Sequence, residues 1–205
     1  MNTIDKAPIE FYFDFSSPYG YFGSCRIDDI GQRHGREVIW RPYLMGAAMK
    51  LSGAKPLVER ELICDYAHRD IPRSARRFGI PFNPPPPPFP LASIAACRVF
   101  YWLCDGDPAQ ARDFARRTYA ALFVDGRNIS EVDVVVDLAS AAGANADDTR
   151  SALGDQAVKD RLRQETDGAI ARGIFGSPYV IVDGEPFWGN DRLDEVDKWL
   201  ETGGW

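Results

Sequence analysis

Strand-like sequence stands at both ends of this chain and is missing from its middle, which limits the folds open to it. Aromatic and apolar runs typical of strands occupy residues 11–15 and 37–43, and they return only at residues 177–183 and 185–188. Strands need partners for their backbone groups, so the two ends must pair in one sheet. The chain is therefore predicted to be an α/β fold with a long helical insertion.

The first strand ends at Ser16-Ser17-Pro18, a pattern typical of a helix start. A serine side chain can cap the first turn, and the fixed φ of proline suits the first helical position. A helix is predicted from Pro18 to about Arg33, followed by the strand at residues 37–43. This strand-helix-strand unit should cross over in the right-handed sense, so the two strands are expected to be parallel.

The middle of the chain has the periodicity of helices. The first predicted helix covers residues 58–78, with a break before Pro72 because proline disfavours helix in the residue before it. Five consecutive prolines, Pro84–Pro88, predict an extended surface loop. Further helices are predicted at residues 91–104, 108–124, 131–142, 147–153 and 155–172. Beyond the middle of the chain, a hairpin turn is predicted at Asp183-Gly184 and a closing helix at residues 191–202.

Composition excludes several classes of partner. The net charge is −6, from 24 lysine and arginine residues against 30 acidic residues, which argues against nucleic acid or an anionic membrane surface. No apolar run approaches the ~18 residues of a membrane span. Residues 1–6 lack the pattern of a secretory signal, so a cytoplasmic protein is expected.

The cysteines and histidines give no sign of a metal centre or a redox pair. The chain has four cysteines without a C-x-x-C pair, namely Cys25, Cys64, Cys97 and Cys104. Without an export signal they are expected to be reduced thiols. The two histidines, His34 and His68, are far apart in sequence, so no zinc-type spacing is visible and no metal site is predicted.

Ser17 carries the strongest local signal for chemistry. Ligands of such a sheet gather where a parallel strand ends and a helix begins, and the N–H groups of a helix start attract anions, including thiolates. The Ser17 hydroxyl would then donate to a bound thiolate and lower the pKa of that thiol by about one or two units. No local histidine or lysine supplies a base, so Ser17 is not expected to be a nucleophile. From this segment alone, helix capping is the plainer explanation.

Two later segments are further candidates. Ser177-Pro178 stands at the start of a strand and invites a cis peptide bond. Asn190 or Asp191 either caps the last helix or binds the zwitterionic head of an amino acid, with the Asp191 carboxylate taking the ammonium group.

Together these pieces resemble a known family. The chain carries Phe-Asp-Phe-x-Ser-Pro at residues 13–18, Phe-Gly-Ser-Pro at residues 175–178 and Gly-Asn-Asp-Arg at residues 189–192. Their order and spacing, from about Ile9 to Leu200, resemble the 2-hydroxychromene-2-carboxylate isomerase family. Its relatives are the kappa-class glutathione transferases and the DsbA-like thioredoxin-fold proteins.

The resemblance implies both an architecture and an activity. A thioredoxin-like domain would be formed by residues 1–44 and 161–205, with an all-helical insertion at residues 45–160. The implied cofactor is glutathione and the implied assembly is a homodimer. The implied reaction is isomerisation of a small aromatic substrate with an unsaturated pyruvate side chain, by reversible addition of the glutathione thiolate.

The resemblance also assigns roles to individual residues. Ser17 matches the serine that hydrogen-bonds the sulfur of glutathione. Ser177 matches the residue before the cis proline, here Pro178, whose backbone pairs with the cysteinyl part of glutathione like an added strand. Trp188 matches an aromatic residue beside the substrate, although a core tryptophan at a strand end would look the same. The γ-glutamyl end would be held by Asn190, Asp191 and Arg192.

The chain departs from the family pattern at two positions. Ala54 and Ile63 stand in segments where kappa-class relatives carry an asparagine and a lysine that help hold glutathione, particularly its glycyl end. Lys55 and Arg73 are the candidates to replace them. The alternatives are a kappa-like glutathione transferase, a disulfide oxidoreductase and a non-enzymatic binding module. The oxidoreductase is disfavoured, because the Ser-Ser-Pro-Tyr site has no sulfur to exchange.

Overall fold

The computed structural model describes residues 7–205, which contain one four-stranded sheet. The strands are β1 (Ile9–Phe13), β2 (Val38–Pro42), β3 (Tyr179–Val182) and β4 (Glu185–Trp188), in the order β2-β1-β3-β4. β1 is parallel to β2, and β3 runs antiparallel to both β1 and β4. The two ends of the chain pair in one sheet, as predicted.

Alternation along β1 sends its aromatic side chains to opposite faces of the sheet. Phe11 and Phe13 lie on one face, with ring centroids 5.3 and 5.5 Å from that of Trp40 in β2. Tyr12 lies on the other face, in a separate apolar cluster that includes Tyr179. These residues are all buried, which explains why β1 is aromatic on both sides.

The hairpin between β3 and β4 turns at Asp183 and Gly184, where φ is 53° and 89°. Positive φ at both central positions is the geometry of a type I′ turn, and an Asp-Gly pair adopts it readily. The predicted turn is confirmed.

Helices flank the sheet and fill the chain between β2 and β3. The first two are α1 (Pro18–Ser24) and α2 (Ile27–Arg33). The others are α3 (Met45–Ser52), α4 (Cys64–Phe78), α5 (Ile94–Gly106), α6 (Pro108–Phe123), α7 (Val132–Ala141), α8 (Ala146–Gly154), α9 (Gln156–Ala171) and α10 (Leu193–Thr202), with 3₁₀ turns at Leu57–Glu59 and Asn190–Arg192. Among residues 7–205, no helix has both the length and the apolar character that crossing a membrane requires. A small mixed sheet with this long helical segment confirms the predicted fold class, whereas the unit boundaries at residues 45 and 160 stay predictions.

The helix predicted from Pro18 to Arg33 is two helices, so that prediction is wrong at its centre. The Arg26 N–H donates to the carbonyl of Gly23 at 3.0 Å, a short-range bond that tightens the end of α1. Arg26 itself leaves regular helical geometry, with φ −125° and ψ −28°. Its guanidinium reaches the carbonyl oxygen of Asn190 at 3.1 Å.

The break predicted before Pro72 is also wrong, because α4 continues through this proline. Proline removes one helical hydrogen bond there, but a buried side made of Ala67, Ile71 and Ala75 runs along α4 on both sides of it. Packing of that side outweighs the lost bond. The predicted proline loop is confirmed, since residues 80–93 contain neither helix nor strand.

One aromatic core joins the sheet to the helical segment. The rings of Phe13 and Phe15 lie 5.8 and 5.2 Å from that of Tyr119 in α6. The ring of Tyr21 in α1 stacks on that of Phe123, also in α6, with centroids 5.5 Å apart. α6 therefore packs directly against the carboxyl end of β1 and fixes the position of the β1–α1 junction.

Candidate active site at the β1–α1 junction

Ser17 is the N-cap of α1 and lies at the carboxyl end of β1. Its Oγ accepts a hydrogen bond from the Gly20 N–H at 3.0 Å and donates one to the carbonyl of Ser177 at 2.9 Å. Only 4% of the residue is exposed. The predicted cap is confirmed, and the second bond links the cap to the distant segment that carries Ser177.

The Ser177–Pro178 peptide bond is cis, as its sequence invites. The Ser177 Oγ accepts a hydrogen bond from the Asp14 N–H at 2.9 Å, and the carbonyl of the preceding Gly176 accepts one from the Tyr43 hydroxyl at 2.9 Å. Asp14 thus holds this loop against the β1–α1 junction, and Tyr43 holds it against the end of β2. Ser17, Ser177 and Pro178, which are far apart in sequence, are brought together here.

Gly20 allows the close approach of these groups. A Cβ at this position would lie 2.5 Å from the Ser177 Oγ and 2.7 Å from the Tyr119 Oη. Tyr119 is fully buried and donates its hydroxyl hydrogen to the Asp14 carbonyl at 3.1 Å. A residue with a side chain would have to displace both of these hydrogen-bonded groups.

Asp14 is a structural element of the site that the sequence reasoning missed. Its buried carboxylate accepts hydrogen bonds from the Ser16 N–H and hydroxyl at 2.9 and 2.8 Å, and from the Met45 N–H at 2.9 Å. The carboxylate therefore ties the start of α3 to the turn before Ser17. The signal for Asp14 in the sequence is its place between Phe13 and Phe15, since an acidic residue in an aromatic run is buried and needs several hydrogen-bond partners.

The 3₁₀ turn Asn190–Arg192 packs against α1. Asn190 is buried and held by Arg26, whereas the side chain of Asp191 is 68% exposed. Burial, the hydrogen bond to Asp70 and the nearby Asp191 charge all raise the pKa of Tyr19, which stands two residues after Ser17. The Asp191 carboxylate is therefore open to solvent next to the buried Asn190.

Arg192 is engaged on α10, whereas the Trp188 indole lies over Gly176, directly before Ser177, where a Cβ would come within 2.0 Å of its Nε1. The Arg192 guanidinium pairs with Glu195 and lies 3.8 Å from the Asp191 carboxylate, so its charge is engaged on α10. Trp188 is 56% exposed, and its ring lies edge-on to Phe175 at 4.7 Å. Both residues line a cleft of about 430 Å³ at the edge of β4.

The two positions where the chain departs from the family pattern both precede α4. Ala54 is exposed and Ile63 immediately precedes α4. Arg73 of α4 is paired with Asp70, and the Asp70 carboxylate also accepts the Tyr19 hydroxyl hydrogen at 2.6 Å. Arg73 therefore stands close to the first turn of α1 as a cation with one neighbouring acid.

Comparison with known proteins places the chain in a family. The model of the DsbA-like thioredoxin domain matches residues 8–201. The chain is 29% identical over 198 residues to 2-hydroxychromene-2-carboxylate isomerase of Sphingobium xenophagum, covering 94% of this chain and 97% of the relative. It is 28% identical over 208 residues to glutathione S-transferase kappa 2 of Caenorhabditis elegans, covering 96% and 92%. The solved structure of a selenomethionine 2-hydroxychromene-2-carboxylate isomerase superposes with a TM-score of 0.84 at 25% identity, covering 94% of each chain. The chain belongs to the DsbA-like thioredoxin family, among relatives named as isomerases and kappa transferases.

Proposed function

We propose that this protein is a glutathione-dependent isomerase of the 2-hydroxychromene-2-carboxylate type. Its substrate would be a small aromatic compound with an unsaturated pyruvate side chain. The observation that carries the proposal is the buried Ser17 hydroxyl, which caps α1 and touches the cis Ser177–Pro178 loop. The relatives named as isomerases support the reaction type.

The residues present fit a peptide thiol that carries an amino-acid head. Ser17 offers a hydroxyl donor for sulfur, and the Ser177–Pro178 backbone offers an edge for a short peptide. The exposed Asp191 carboxylate suits an ammonium group, and the backbone N–H groups at the start of the neighbouring 3₁₀ turn suit a carboxylate. This combination of groups matches glutathione better than a simple thiol.

Glutathione, when bound, supplies the thiolate that adds reversibly to the conjugated double bond of the substrate and so permits rotation about it. The role of Ser17 is to stabilise that thiolate. In the free protein the Ser17 hydroxyl hydrogen is engaged by the Ser177 carbonyl. We infer that it rotates toward sulfur when glutathione binds, while the Ser17 oxygen keeps the hydrogen bond from Gly20.

The remaining residues position the two molecules. Asn190 and Asp191 hold the γ-glutamyl end, and Arg26 fixes their turn through the Asn190 carbonyl. Trp188 offers an exposed aromatic surface for the substrate ring. Arg192 contributes through its ion pairs at the start of α10. Placement of the thiolate beside the substrate then supplies most of the rate enhancement.

A kappa-like glutathione transferase is the second candidate, because relatives with that name match nearly the full chain. Both enzymes use the same thiolate. In the transferase the sulfur stays bonded to the product, whereas in the isomerase it is released. A homodimer and a cytoplasmic location belong to the same proposal.

Calorimetric titration with glutathione is the first test, and S-methylglutathione serves as the control ligand without a free thiol. We expect both to bind, because the peptide contacts do not involve the sulfur. No heat from glutathione at millimolar concentration would contradict the glutathione-dependent functions and favour a non-enzymatic binding module.

Turnover of an aromatic substrate with an unsaturated pyruvate side chain is the second test. We expect cis–trans isomerisation that requires glutathione and leaves its concentration unchanged. Accumulation of a stable glutathione conjugate would instead identify a transferase.

A further inference from the structure

A cluster of metal-binding side chains lies on the first turn of α4. Cys64, Asp65 and His68 each offer one ligand atom, and these atoms all lie within 4.8 Å of one another. Cys64 and His68 are four residues apart on the helix, which places their side chains on the same side. The signal in the sequence is the spacing of Cys64 and His68, whereas the two histidines are too far apart to suggest a metal site.

The geometry of the cysteine–histidine pair matches a tetrahedral metal. The Cys64 Sγ lies 3.5 Å from the His68 Nδ1. In a tetrahedral zinc site, a metal–sulfur distance of about 2.3 Å and a metal–nitrogen distance of about 2.0–2.1 Å separate the two ligand atoms by about 3.5–3.6 Å. The pair therefore already has the spacing of two ligands of one ion.

All three side chains are open to solvent. Cys64 is partly exposed, and both Asp65 and His68 are exposed, so an ion can reach all three from solvent. α4 carries two acidic residues against four arginines, and its Asp70 is paired with Arg73, so binding rests on the three ligands and not on a local excess of negative charge.

We propose that Cys64, Asp65 and His68 bind one divalent cation of the zinc class. The ligands are the Cys64 thiolate, the His68 Nδ1 and one carboxylate oxygen of Asp65, and the fourth position stays open to water or a small ligand. The Cys64 thiol releases its proton to solvent when the metal binds.

The site lies beside the candidate active site without sharing its groups. Asp70 follows on the same helix and accepts the hydroxyl hydrogen of Tyr19, next to the Ser17–Pro18 start of α1. A metal on the first turn of α4 would stabilise the start of the helix that carries Asp70. Metal binding here does not require glutathione, so it can be tested independently of the proposed function.

Titration of the glutathione-free protein with Co²⁺ tests the site, because a cobalt–thiolate bond produces a charge-transfer band in the near ultraviolet. We expect a band that saturates at one Co²⁺ per chain and is reversed by Zn²⁺. The Cys64→Ser and His68→Gln variants should lose it. Cys25→Ser and His34→Gln are the matched controls, since Cys25 is another exposed cysteine and His34 is paired with Asp197 at 2.7 Å.

Asp65→Asn separates a three-ligand site from a two-ligand pair. We expect this variant to keep the band but to require a higher Co²⁺ concentration for half-saturation. Circular dichroism of each variant shows whether its helices are intact. The absence of a band in the wild type, a band that survives Cys64→Ser, or one that is lost in Cys25→Ser would overturn the proposal, and an unchanged Asp65→Asn titration would remove the third ligand.

Discussion

Replacement of Ser17 by alanine should raise the pKa of bound glutathione by about one unit. A hydrogen bond to a charged group contributes about 1.5–3 kcal/mol, against about 0.5–1.5 kcal/mol for a neutral one. The Ser17 hydroxyl gives up its neutral bond to the Ser177 carbonyl when it turns to the thiolate, so only the difference of about 1–1.5 kcal/mol acts on the sulfur. One pKa unit corresponds to 1.36 kcal/mol, so the ratio of thiolate to thiol at a given pH falls by about five- to thirteenfold.

The same substitution should lower the stability of the protein. Loss of an N-cap serine costs about 0.5–2 kcal/mol, and the buried Ser177 carbonyl loses its partner. Ser17→Thr keeps the hydroxyl and should restore most of both effects. Ser16→Ala is the matched control, because Ser16 is the adjacent serine and its hydroxyl donates to Asp14 instead.

The assay is the ultraviolet absorbance of the bound thiolate as a function of pH, measured at saturating glutathione so that weaker binding does not distort it. We expect a higher pKa in Ser17→Ala and wild-type behaviour in Ser16→Ala, with isomerisation rate following the thiolate fraction. An identical titration in wild type and Ser17→Ala would refute the role of Ser17 in thiolate stabilisation. A shift of equal size in Ser16→Ala would show that the loop conformation, and not the hydroxyl, is responsible.

Two further predictions concern the sheet and the cleft at its edge. The hydrogen bond from Arg172 lowers the pKa of Glu10 to about 2, so the pair should stabilise the fold fully above about pH 4.5 and lose its effect as the pH falls toward 2. The difference in melting temperature between wild type and Arg172→Gln should therefore shrink over that window in thermal unfolding followed by circular dichroism. Trp188→Ala should raise the KM for the aromatic substrate by about two- to tenfold, since aromatic pairs contribute about 0.5–1.5 kcal/mol, and should leave glutathione affinity unchanged in calorimetry.

Each of these has a control and a contradicting outcome. Lys198→Gln removes an exposed ion pair with Glu201 and should show little pH-dependent change. A constant melting-temperature difference for Arg172→Gln between pH 6 and pH 2, taken as roughly bracketing the titration, would contradict the Glu10 prediction. For Trp188→Ala, an unchanged KM, or a parallel loss of glutathione binding, would contradict a role in holding the substrate ring.

The strands, the hairpin turn and the helix start at Ser17 were predictable because each rests on a local signal. The aromatic run of β1, the Asp183-Gly184 turn and the Ser17 cap all depend on residues within a few positions of one another. The helices predicted at residues 91–104, 108–124, 131–142 and 155–172 are also present, because each has a continuous apolar side.

The errors came from contacts between residues distant in sequence. Pro72 stays inside α4 because the buried side of that helix is held by tertiary packing, which the local rule for proline does not include. The end of α1 near Arg26 is stabilised by the bond to Asn190, a partner that no local pattern identifies. Likewise, no local pattern identifies the Ser177 carbonyl as the acceptor of the Ser17 hydroxyl, because the two residues are 160 positions apart.

Gly20 determines how easily this protein could acquire redox chemistry of its own. Residues 17 and 20 have the spacing of a C-x-x-C pair, so two substitutions would appear sufficient to give the chain a disulfide. However, any Cβ at position 20 would come within 2.5 Å of the Ser177 Oγ and 2.7 Å of the Tyr119 Oη. A dithiol variant would therefore need further changes at both Ser177 and Tyr119 to make room for the second side chain. The packing around one glycine therefore leaves no room for a second thiol beside position 17.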